Sequence, residues 1–267
     1  MSSSPQEVRI AVTRPVSPAL LRCELTHLAR TQIDIDRARE QHTAYEQALR
    51  RVGCRLERLP EAPLLADSVF VEDTAIVLDE IAVVTRPGAP SRRAETDAVA
   101  EMLGRYRRIA GIAAPATLDG GDVLRVNRTL YVGLSGRSSR SGLEQLAEHV
   151  APFGYRVEAV PVHGCLHLKS AVTLVGPETV LLNPHYVATE PFRGLEWIEV
   201  DSAEPHGANA LLLGNEVIYP ASQPRTAERL RRRGLAVCGI DVSELEKAEG
   251  AVTCCSLVFV GDGGPEP

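Results

Sequence analysis

The chain has 267 residues, of which 44% are hydrophobic and 24% are charged, with 21 Gly and 18 Pro. A chain of this length and composition can bury a sizeable core, which excludes intrinsic disorder and a miniature domain held together by disulfides. The formal net charge of −6 argues against a general binder of phosphate backbones and suits a site for cationic small molecules.

No apolar run reaches the roughly 18 residues that a transmembrane helix needs, and residues 1–9 are polar and Ser-rich, without the apolar segment of a secretion signal. We therefore expect a cytoplasmic protein that binds neither membranes nor nucleic acid. The six cysteines are scattered along the chain, and we interpret them as reduced thiols.

The first predicted elements are a strand at residues 9–13, a helix over 35–52 and a strand near 55–56. Apolar residues in the helix recur at steps of three and four, so they form one stripe that faces the core. His42 lies on this stripe, and we interpret it as a packed core residue rather than as a ligand.

Four copies of one pattern follow, spaced by about 45 to 50 residues. Each copy contains a strand, a polar turn, a second strand, an amphipathic helix and a third strand. The predicted first strands are residues 68–71, 117–118, 166–168 and 210–213, and the second strands are 81–84, 129–132, 179–182 and 217–219.

A last strand at residues 255–260 would complete a fifth unit together with the first elements of the chain. Five strand-strand-helix-strand units in a ring would form one α/β domain, with a central mouth where strand ends converge. We therefore expect a single domain over residues 1–267, with flexible ends at residues 1–8 and 262–267.

Acidic residues interrupt the apolar pattern near the predicted first strands. Asp67, Glu72 and Asp73 flank one such strand, and all three can face one site only if the strand bends. Asp119 and Asp122 enclose two glycines. Since a buried charge must be paired, ligand-bound or chemically useful, these acids are site candidates. Exposed loops and a plain Asp-Gly turn are the alternatives.

A histidine and a cysteine are further candidates. His163, Cys165 and His167 alternate along the chain, but zinc sites usually show Cys pairs or a helical His spacing that is missing here, so metal binding is disfavoured. Cys254 lies at the start of the last predicted strand, at the proposed mouth. A distant His could make it a nucleophile, and a small buried apolar residue is the alternative.

The chain resembles the dimethylarginine dimethylaminohydrolase family, guanidine-modifying members of the pentein superfamily. The resemblance rests on five strings in the family's order, at residues 67–73 (DSVFVED), 85–93 (TRPGAPSRR), 118–122 (LDGGD), 166–170 (LHLKS) and 253–256 (TCCS). The family fold is a five-bladed α/β propeller of strand-strand-helix-strand units. It agrees with the repeats described above.

The resemblance implies three catalytic residues. Cys254 would be the nucleophile, His167 the general acid and base, and Asp119 the acid that orients His167. Some bacterial members carry the longer Glu where this chain has Asp119. Only the family register selects Cys254 over the adjacent Cys255.

The resemblance also implies how an amino-acid substrate would be held. Glu72 and Asp73 would bind the guanidinium group. The other substrate-binding residues would be Arg86 and Arg137 for the α-carboxylate, and Asp67 with the main chain of Leu25 and Ala248 for the α-amino group. The loop around Leu25 would be a mobile lid.

The implied reaction converts Nω-methylated arginine to citrulline and methylamine or dimethylamine through an amidino-thioether on the cysteine. The central carbon of a guanidinium is a poor electrophile until carboxylates fix the group and a strong nucleophile is aimed at it. This chemistry requires no metal or organic cofactor. The implied partner is the small-molecule substrate, and a homodimer is possible.

Other functions stay open at this point. Arginine deiminases share the fold and chemistry, but they typically carry an extra helical domain and an Asp where this chain has Lys169. A hydrolase of another substituted arginine is a further alternative, since the shape of the pocket decides whether a methyl group fits. A binding module for arginine derivatives is the alternative from another class, although binding alone needs no nucleophile.

Overall fold

The computed structural model describes residues 7–262. Over these residues the chain forms fifteen β-strands, which assemble into five three-stranded sheets. The strands are β1 (Glu7–Thr13), β2 (Cys54–Arg58), β3 (Ala75–Val77), β4 (Ile81–Val84), β5 (Arg108–Gly111), β6 (Val123–Val126), β7 (Thr129–Leu134), β8 (Arg156–Pro161), β9 (Val172–Gly176), β10 (Thr179–Leu182), β11 (Glu196–Glu199), β12 (Leu211–Leu213), β13 (Glu216–Pro220), β14 (Ala236–Ile240) and β15 (Leu257–Asp262).

The same residues form six α-helices, none of them long and apolar enough to cross a bilayer. They are α1 (Ile35–Arg51), α2 (Thr96–Leu103), α3 (Arg140–Val150), α4 (Leu168–Ala171), α5 (Pro224–Arg232) and α6 (Ser243–Glu246). Most of the predicted flexible ends, residues 1–6 and 263–267, lie outside the described residues, whereas residues 7, 8 and 262 belong to strands.

All five sheets have the same topology. The middle strand of each pairs antiparallel with one neighbour and parallel with the other; in strand order, the sheets are β15-β1-β2, β3-β4-β5, β6-β7-β8, β9-β10-β11 and β12-β13-β14. A parallel pair needs a crossover connection. Helices α1, α2, α3 and α5 supply four crossovers, and the β10–β11 crossover contains only a short 3₁₀ turn, Glu190–Phe192.

The sequence-based prediction of five repeating units is therefore confirmed. Each sheet with its crossover is one blade of an α/β propeller. The blade containing β1 joins both ends of the chain, because β15 pairs with β1 from Glu7 opposite Asp262 to Val12 opposite Leu257. This pairing closes the ring of blades.

Three of the predicted first strands are wrong. Residues 68–71 and 117–118 contain no strand, and residues 166–168 run into helix α4. The first strands of these blades are β3, β6 and β9, which begin several residues later. The segments just before them are 3₁₀ turns at Val71–Thr74 and Gly120–Asp122, and helix α4.

Close packing between these turns explains the difference. Val69 and Val71 are fully buried, as in a core strand, so their apolar pattern does not distinguish a strand from a buried turn. The turn at Gly120 packs directly on the turn at Glu72, where a Cβ on Gly120 would lie 2.0 Å from the Glu72 carbonyl oxygen. This close approach requires a residue without a Cβ at position 120.

Helix α1 packs against the segment that contains the candidate nucleophile. Its stripe is buried as predicted, and His42 lies in the core, where burial lowers the pKa of its imidazole. The Tyr45 hydroxyl lies 2.7 Å from both the Val252 carbonyl oxygen and the Ser256 hydroxyl. These contacts fix the chain on both sides of Cys254.

Candidate active site

The site is built from five segments that precede β3, β6, β9, β12 and β15, here called the mouth turns: residues 67–74, 119–122, 163–171, 206–210 and 248–256. Each is hydrogen-bonded to the next, which closes a ring. The bonds run from Glu72 N to Cys254 O (3.1 Å), Gly121 N to Asp73 Oδ1 (2.9 Å), Leu168 N to Asp122 Oδ1 (2.9 Å), and Asn209 Nδ2 to Lys169 O (3.1 Å) and Thr253 Oγ1 (2.9 Å).

Cys254 and Cys255 have different environments. Cys254 is half-buried and lines two adjoining cavities, whereas Cys255 is fully buried and its thiol donates to the Ala251 carbonyl at 3.4 Å. All six cysteines lie among the described residues, and none forms a disulfide. The geometry therefore favours Cys254 as the accessible sulfur.

Burial, followed by the Glu72 and Asp73 carboxylates, raises the pKa of the Cys254 thiol to about 12. The thiol is therefore protonated in the ligand-free site at neutral pH. A cation bound between the sulfur and these carboxylates would favour the thiolate, since an opposite charge lowers the pKa of an acid.

His167 is buried beside three acids. Its Nε2 lies 3.0 Å from Asp119 Oδ2, and its Nδ1 lies 3.8 Å from Asp73 Oδ1. Burial disfavours the charged ring, but Asp73, the Asp119 hydrogen bond and the Asp122 charge outweigh it and raise the pKa of His167 to about 9. The ring is therefore an imidazolium at neutral pH and can donate a proton.

Asp119 is held from its other side as well. It is completely buried; its Oδ1 accepts from the Gly88 amide at 2.8 Å, and its own amide donates to the Ser138 hydroxyl at 3.1 Å. Because Asp119 has so little freedom, its bond to His167 fixes the orientation of the ring.

The two acids implied to bind guanidinium differ in their contacts. Burial would raise the pKa of Asp73, but the His167 and Arg92 charges prevail and lower it to about 2. The Glu72 carboxylate accepts from Lys169 Nζ and Thr253 Oγ1, both at 2.7 Å, and does not line either cavity. Asp73 is thus the acid that faces the space beside Cys254.

A cavity of about 310 Å³ connects these groups. Among its lining residues are six that the resemblance implies, namely Asp67, Asp73, Arg137, His167, Ala248 and Cys254. The adjoining larger cavity, about 840 Å³, shares Cys254 with it and continues past Cys165 and Ser170.

Arg86 is not brought to this cavity. Its backbone is bridged to Leu118, and its guanidinium donates to the carbonyl oxygens of Ala116 (3.0 Å) and Pro115 (3.5 Å). Arg92, from the same sequence string, lines the cavity instead and donates to Asp73 Oδ2 at 2.5 Å. Glu95 also pairs with Arg92, at 2.8 Å.

The loop around Leu25 covers the far end of the cavity. Asp67 accepts from the Glu24 amide with both carboxylate oxygens at 3.2 Å, and Arg137 Nη2 donates to Thr26 Oγ1 at 3.0 Å. Leu25 itself packs, partly buried, against a hydrophobic cluster rather than lining the cavity. The two side chains implied to hold the α-amino and α-carboxylate groups therefore contact this loop.

A cation could in principle be held by Asp73, Asp119 and His167, whose ligand atoms lie within 4.8 Å of one another. These groups already have charged partners, because Arg92 pairs with Asp73 and the His167 ring bonds Asp119. The cluster is therefore charge-compensated without a metal. Cys165 does not join it, since its thiol contacts the His167 carbonyl oxygen at 3.4 Å.

The chain is similar to known proteins. A family model described as N,N dimethylarginine dimethylhydrolase, eukaryotic, matches residues 26–193. The N(G),N(G)-dimethylarginine dimethylaminohydrolase of Streptomyces coelicolor is 42% identical over 250 residues, which cover 92% of this chain and 95% of the relative.

Two solved structures are similar over nearly the whole chain. A Cys-to-Ser mutant of the Pseudomonas aeruginosa dimethylarginine dimethylaminohydrolase, complexed with citrulline, has a TM-score of 0.90 and 33% identity, covering 93% of this chain and 98% of that one. A His-to-Gly dimethylarginine dimethylaminohydrolase adduct with S-methyl-L-thiocitrulline has a TM-score of 0.88 and 32% identity, with the same coverage.

The five-bladed α/β fold, with a cysteine, a histidine and acids at its mouth, defines a pentein. Within that class, the chain belongs to the dimethylarginine dimethylaminohydrolase family.

Two residues around the site, Arg92 and Glu249, were not singled out from the sequence. Arg92 lies beside Arg93 in an exposed-looking string, and Glu249 follows a polar stretch near the C-terminus. Asp122 is completely buried, where burial raises its pKa to about 6, and it accepts from the Ser135 and Ser138 hydroxyls, both at 2.6 Å. Asp122 was, with Asp119, one of the site candidates from the sequence, because buried acids need partners.

We expect the His167 imidazole to titrate near pH 9 in the folded protein. Because the folded-state pKa is raised above the ordinary value, its contribution to stability is full below about pH 6.5 and is lost as the pH rises through about 9. Asp73→Asn should lower this midpoint, because Asp73 supplies the main charge that raises it.

NMR titration of the His167 Cε1–H signal measures the midpoint. The control is Asp79→Asn, which removes a carboxylate from a partly exposed ion pair with Arg125 and should leave the titration unchanged. A midpoint at or below 6.5 in the unmodified protein would contradict the electrostatic account of the site.

Proposed function

We propose that this protein hydrolyses Nω-methylated arginines, dimethylarginine and monomethylarginine, to citrulline and dimethylamine or methylamine. The observation that supports the proposal is one cavity whose lining includes Cys254, His167 and Asp73 together with Asp67 and Arg137. A methylated arginine has a matching order of charges, a planar cation at one end and an amine and a carboxylate at the other.

Binding begins with charge complementarity. The guanidinium lies against Asp73, whose low pKa keeps it charged at every physiological pH. Glu72 contributes its charge from behind, held by Lys169 and Thr253. Arg137 receives the α-carboxylate and Asp67 the α-amino group.

The bound cation activates the nucleophile. It offsets the carboxylates that raise the pKa of Cys254, so the thiol releases its proton to solvent and the thiolate attacks the central carbon of the guanidinium. A tetrahedral adduct forms. The His167 imidazolium then donates its proton to the methylated nitrogen, the amine leaves, and an amidino-thioether remains on Cys254.

Hydrolysis of the thioether uses the same residues, and His167 now acts as a base instead of an acid. Neutral His167 removes a proton from a water molecule, and the resulting hydroxide attacks the amidino carbon. Collapse of the second tetrahedral adduct releases citrulline and regenerates the Cys254 thiolate. Asp119 holds the ring throughout, and the carboxylates around it favour the return of His167 to the protonated state.

Arg92 is the cation that accompanies Asp73 in this proposal. It is buried, bonds Asp73 at 2.5 Å and donates to the Phe70 carbonyl at 2.9 Å, so it fixes the acid that receives the guanidinium.

The expectations of one domain, a cytoplasmic location and a homodimer stay predictions.

A substrate panel tests the proposed function. Dimethylarginine, monomethylarginine, arginine and agmatine are assayed for citrulline or carbamoylputrescine and for the released amine. We expect kcat/KM for the methylated arginines to exceed that for arginine by about tenfold or more, and agmatine to be poor because it lacks the carboxylate. Preference for arginine would indicate a deiminase, and binding without any product would indicate a binding module; either result would overturn the proposal.

A pair of arginine variants tests the assignment of the carboxylate site. Arg137→Ala should raise KM for dimethylarginine by about 10- to 100-fold with little change in kcat, because the contact binds ground state and transition state alike. Arg86→Ala is the matched control and should leave both constants within about twofold, since Arg86 contacts only backbone carbonyls outside the cavity. Equal effects of the two substitutions, or a loss of kcat alone in Arg137→Ala, would contradict the assignment.

A further inference from the structure

Glu249 has an unusual backbone conformation for its residue type. Its φ angle is +59°, in the left-handed region that favours glycine. The glycine in this segment is the next residue, Gly250, where a Cβ would lie 2.1 Å from Cε1 of Phe70. A strained non-glycine residue persists only where the surrounding structure requires it, and such residues cluster at functional sites.

The Glu249 side chain shows what this conformation provides. Its carboxylate accepts hydrogen bonds from three successive backbone amides of the loop around Leu25. The distances are 3.0 Å from Thr26 N to Oε2, 2.5 Å from His27 N to Oε1 and 2.6 Å from Leu28 N to Oε1. Charge-assisted bonds of this kind are the stronger class of hydrogen bond.

The loop, residues 23–34, has no regular secondary structure and is largely exposed. Its other contacts with the cavity use Asp67, which accepts from Glu24 N, and Arg137, which donates to Thr26 Oγ1. In the proposed function these same two side chains bind the amino-acid end of the substrate. When substrate occupies the cavity, the hydrogen bonds of Asp67 and Arg137 to the substrate compete with their hydrogen bonds to the loop.

Glu249 is free of this conflict. It lines the smaller cavity, but its carboxylate bonds only backbone amides of the loop and has no role in the proposed chemistry. We propose that Glu249 is a positioning residue: its carboxylate latches the loop at Thr26, His27 and Leu28 over the amino-acid end of the cavity, and keeps it there after substrate has displaced the contacts of Asp67 and Arg137. This inference rests on the proposed function for its effect on turnover.

Two variants separate the latch from a merely structural role. Glu249→Gln keeps the size of the side chain but removes the charge that favours three amide donors. Glu249→Gly removes the latch and relieves the left-handed strain, so its melting temperature should stay within about 3 °C of the unmodified protein or rise. Glu246→Gln is the matched control, since Glu246 is three residues away and its carboxylate accepts from the Ser222 hydroxyl rather than from the loop amides that bond Glu249.

Amide hydrogen exchange measures whether Glu249 holds the loop, and the measurement does not depend on catalysis. In the ligand-free protein we expect the amides of Thr26, His27 and Leu28 to exchange at least about tenfold faster in Glu249→Gln and Glu249→Gly than in the unmodified protein, with no change in Glu246→Gln. Unchanged exchange in both Glu249 variants would overturn the latch, whatever reaction the protein catalyses.

Kinetics then test the coupling to substrate. Both Glu249 variants should raise KM for dimethylarginine by about 5- to 20-fold with kcat changed less than about threefold. A dimethylated agmatine, which lacks the α-carboxylate, should show a much smaller increase. Faster exchange with an unchanged KM for dimethylarginine, or equal losses on both substrates, would overturn the proposed role. If no methylated arginine is turned over at all, the function proposal fails, and the exchange experiment still decides whether Glu249 holds the loop.

Discussion

Two buried carboxylates next to a thiol are the constraint on which this site depends. Glu72 and Asp73 disfavour a thiolate at Cys254 as long as no cation lies between them, and burial adds to that effect. A planar cation that enters the cavity offsets the negative charge of the carboxylates, so it lowers the pKa of the Cys254 thiol and favours the thiolate. The arrangement thus couples nucleophile activation to the charge of the substrate, and it keeps the sulfur in its less reactive protonated form when the cavity contains no cation.

Fixed partners keep this balance stable. Arg92 compensates Asp73, and Lys169 pairs with Glu72, so neither acid has to recruit a mobile cation in the folded protein. His167 then carries the proton that the leaving amine requires, because the surrounding acids hold it as an imidazolium. The same charges that suppress the thiolate therefore prepare the acid. The Lys169 ammonium also supplies a positive charge at the position where deiminases typically have an acid.

The propeller makes this arrangement possible by symmetry. Equivalent strands of five blades start at the mouth, and the five mouth turns close a ring of hydrogen bonds around it. Residues distant in sequence, such as Glu72 and Thr253, come into contact because their turns occupy equivalent positions in neighbouring blades. Side chains on turns that are locked on both sides have few alternative positions, which suits catalysis.

The repeats, the closure by β15 and the acids of the site could be predicted from the hydrophobic period and from polar residues in an apolar context. The turns that precede the first strands could not be predicted, because Val69 and Val71 are as apolar and as buried as strand residues. Arg92 and Arg86 look alike in sequence, and only the fold decides which guanidinium turns inwards. Glu249 gave no signal, because its contacts depend on a backbone angle and on a loop more than 200 residues away.

The most direct measurement of the central claim is the mass of the protein after acid quenching during turnover of dimethylarginine. We expect an adduct equal to the substrate less dimethylamine, mapped to Cys254 by peptide analysis, absent in Cys254→Ser and retained in Cys255→Ser. An adduct on Cys255, or continued citrulline formation by Cys254→Ser at the original rate, would contradict the account.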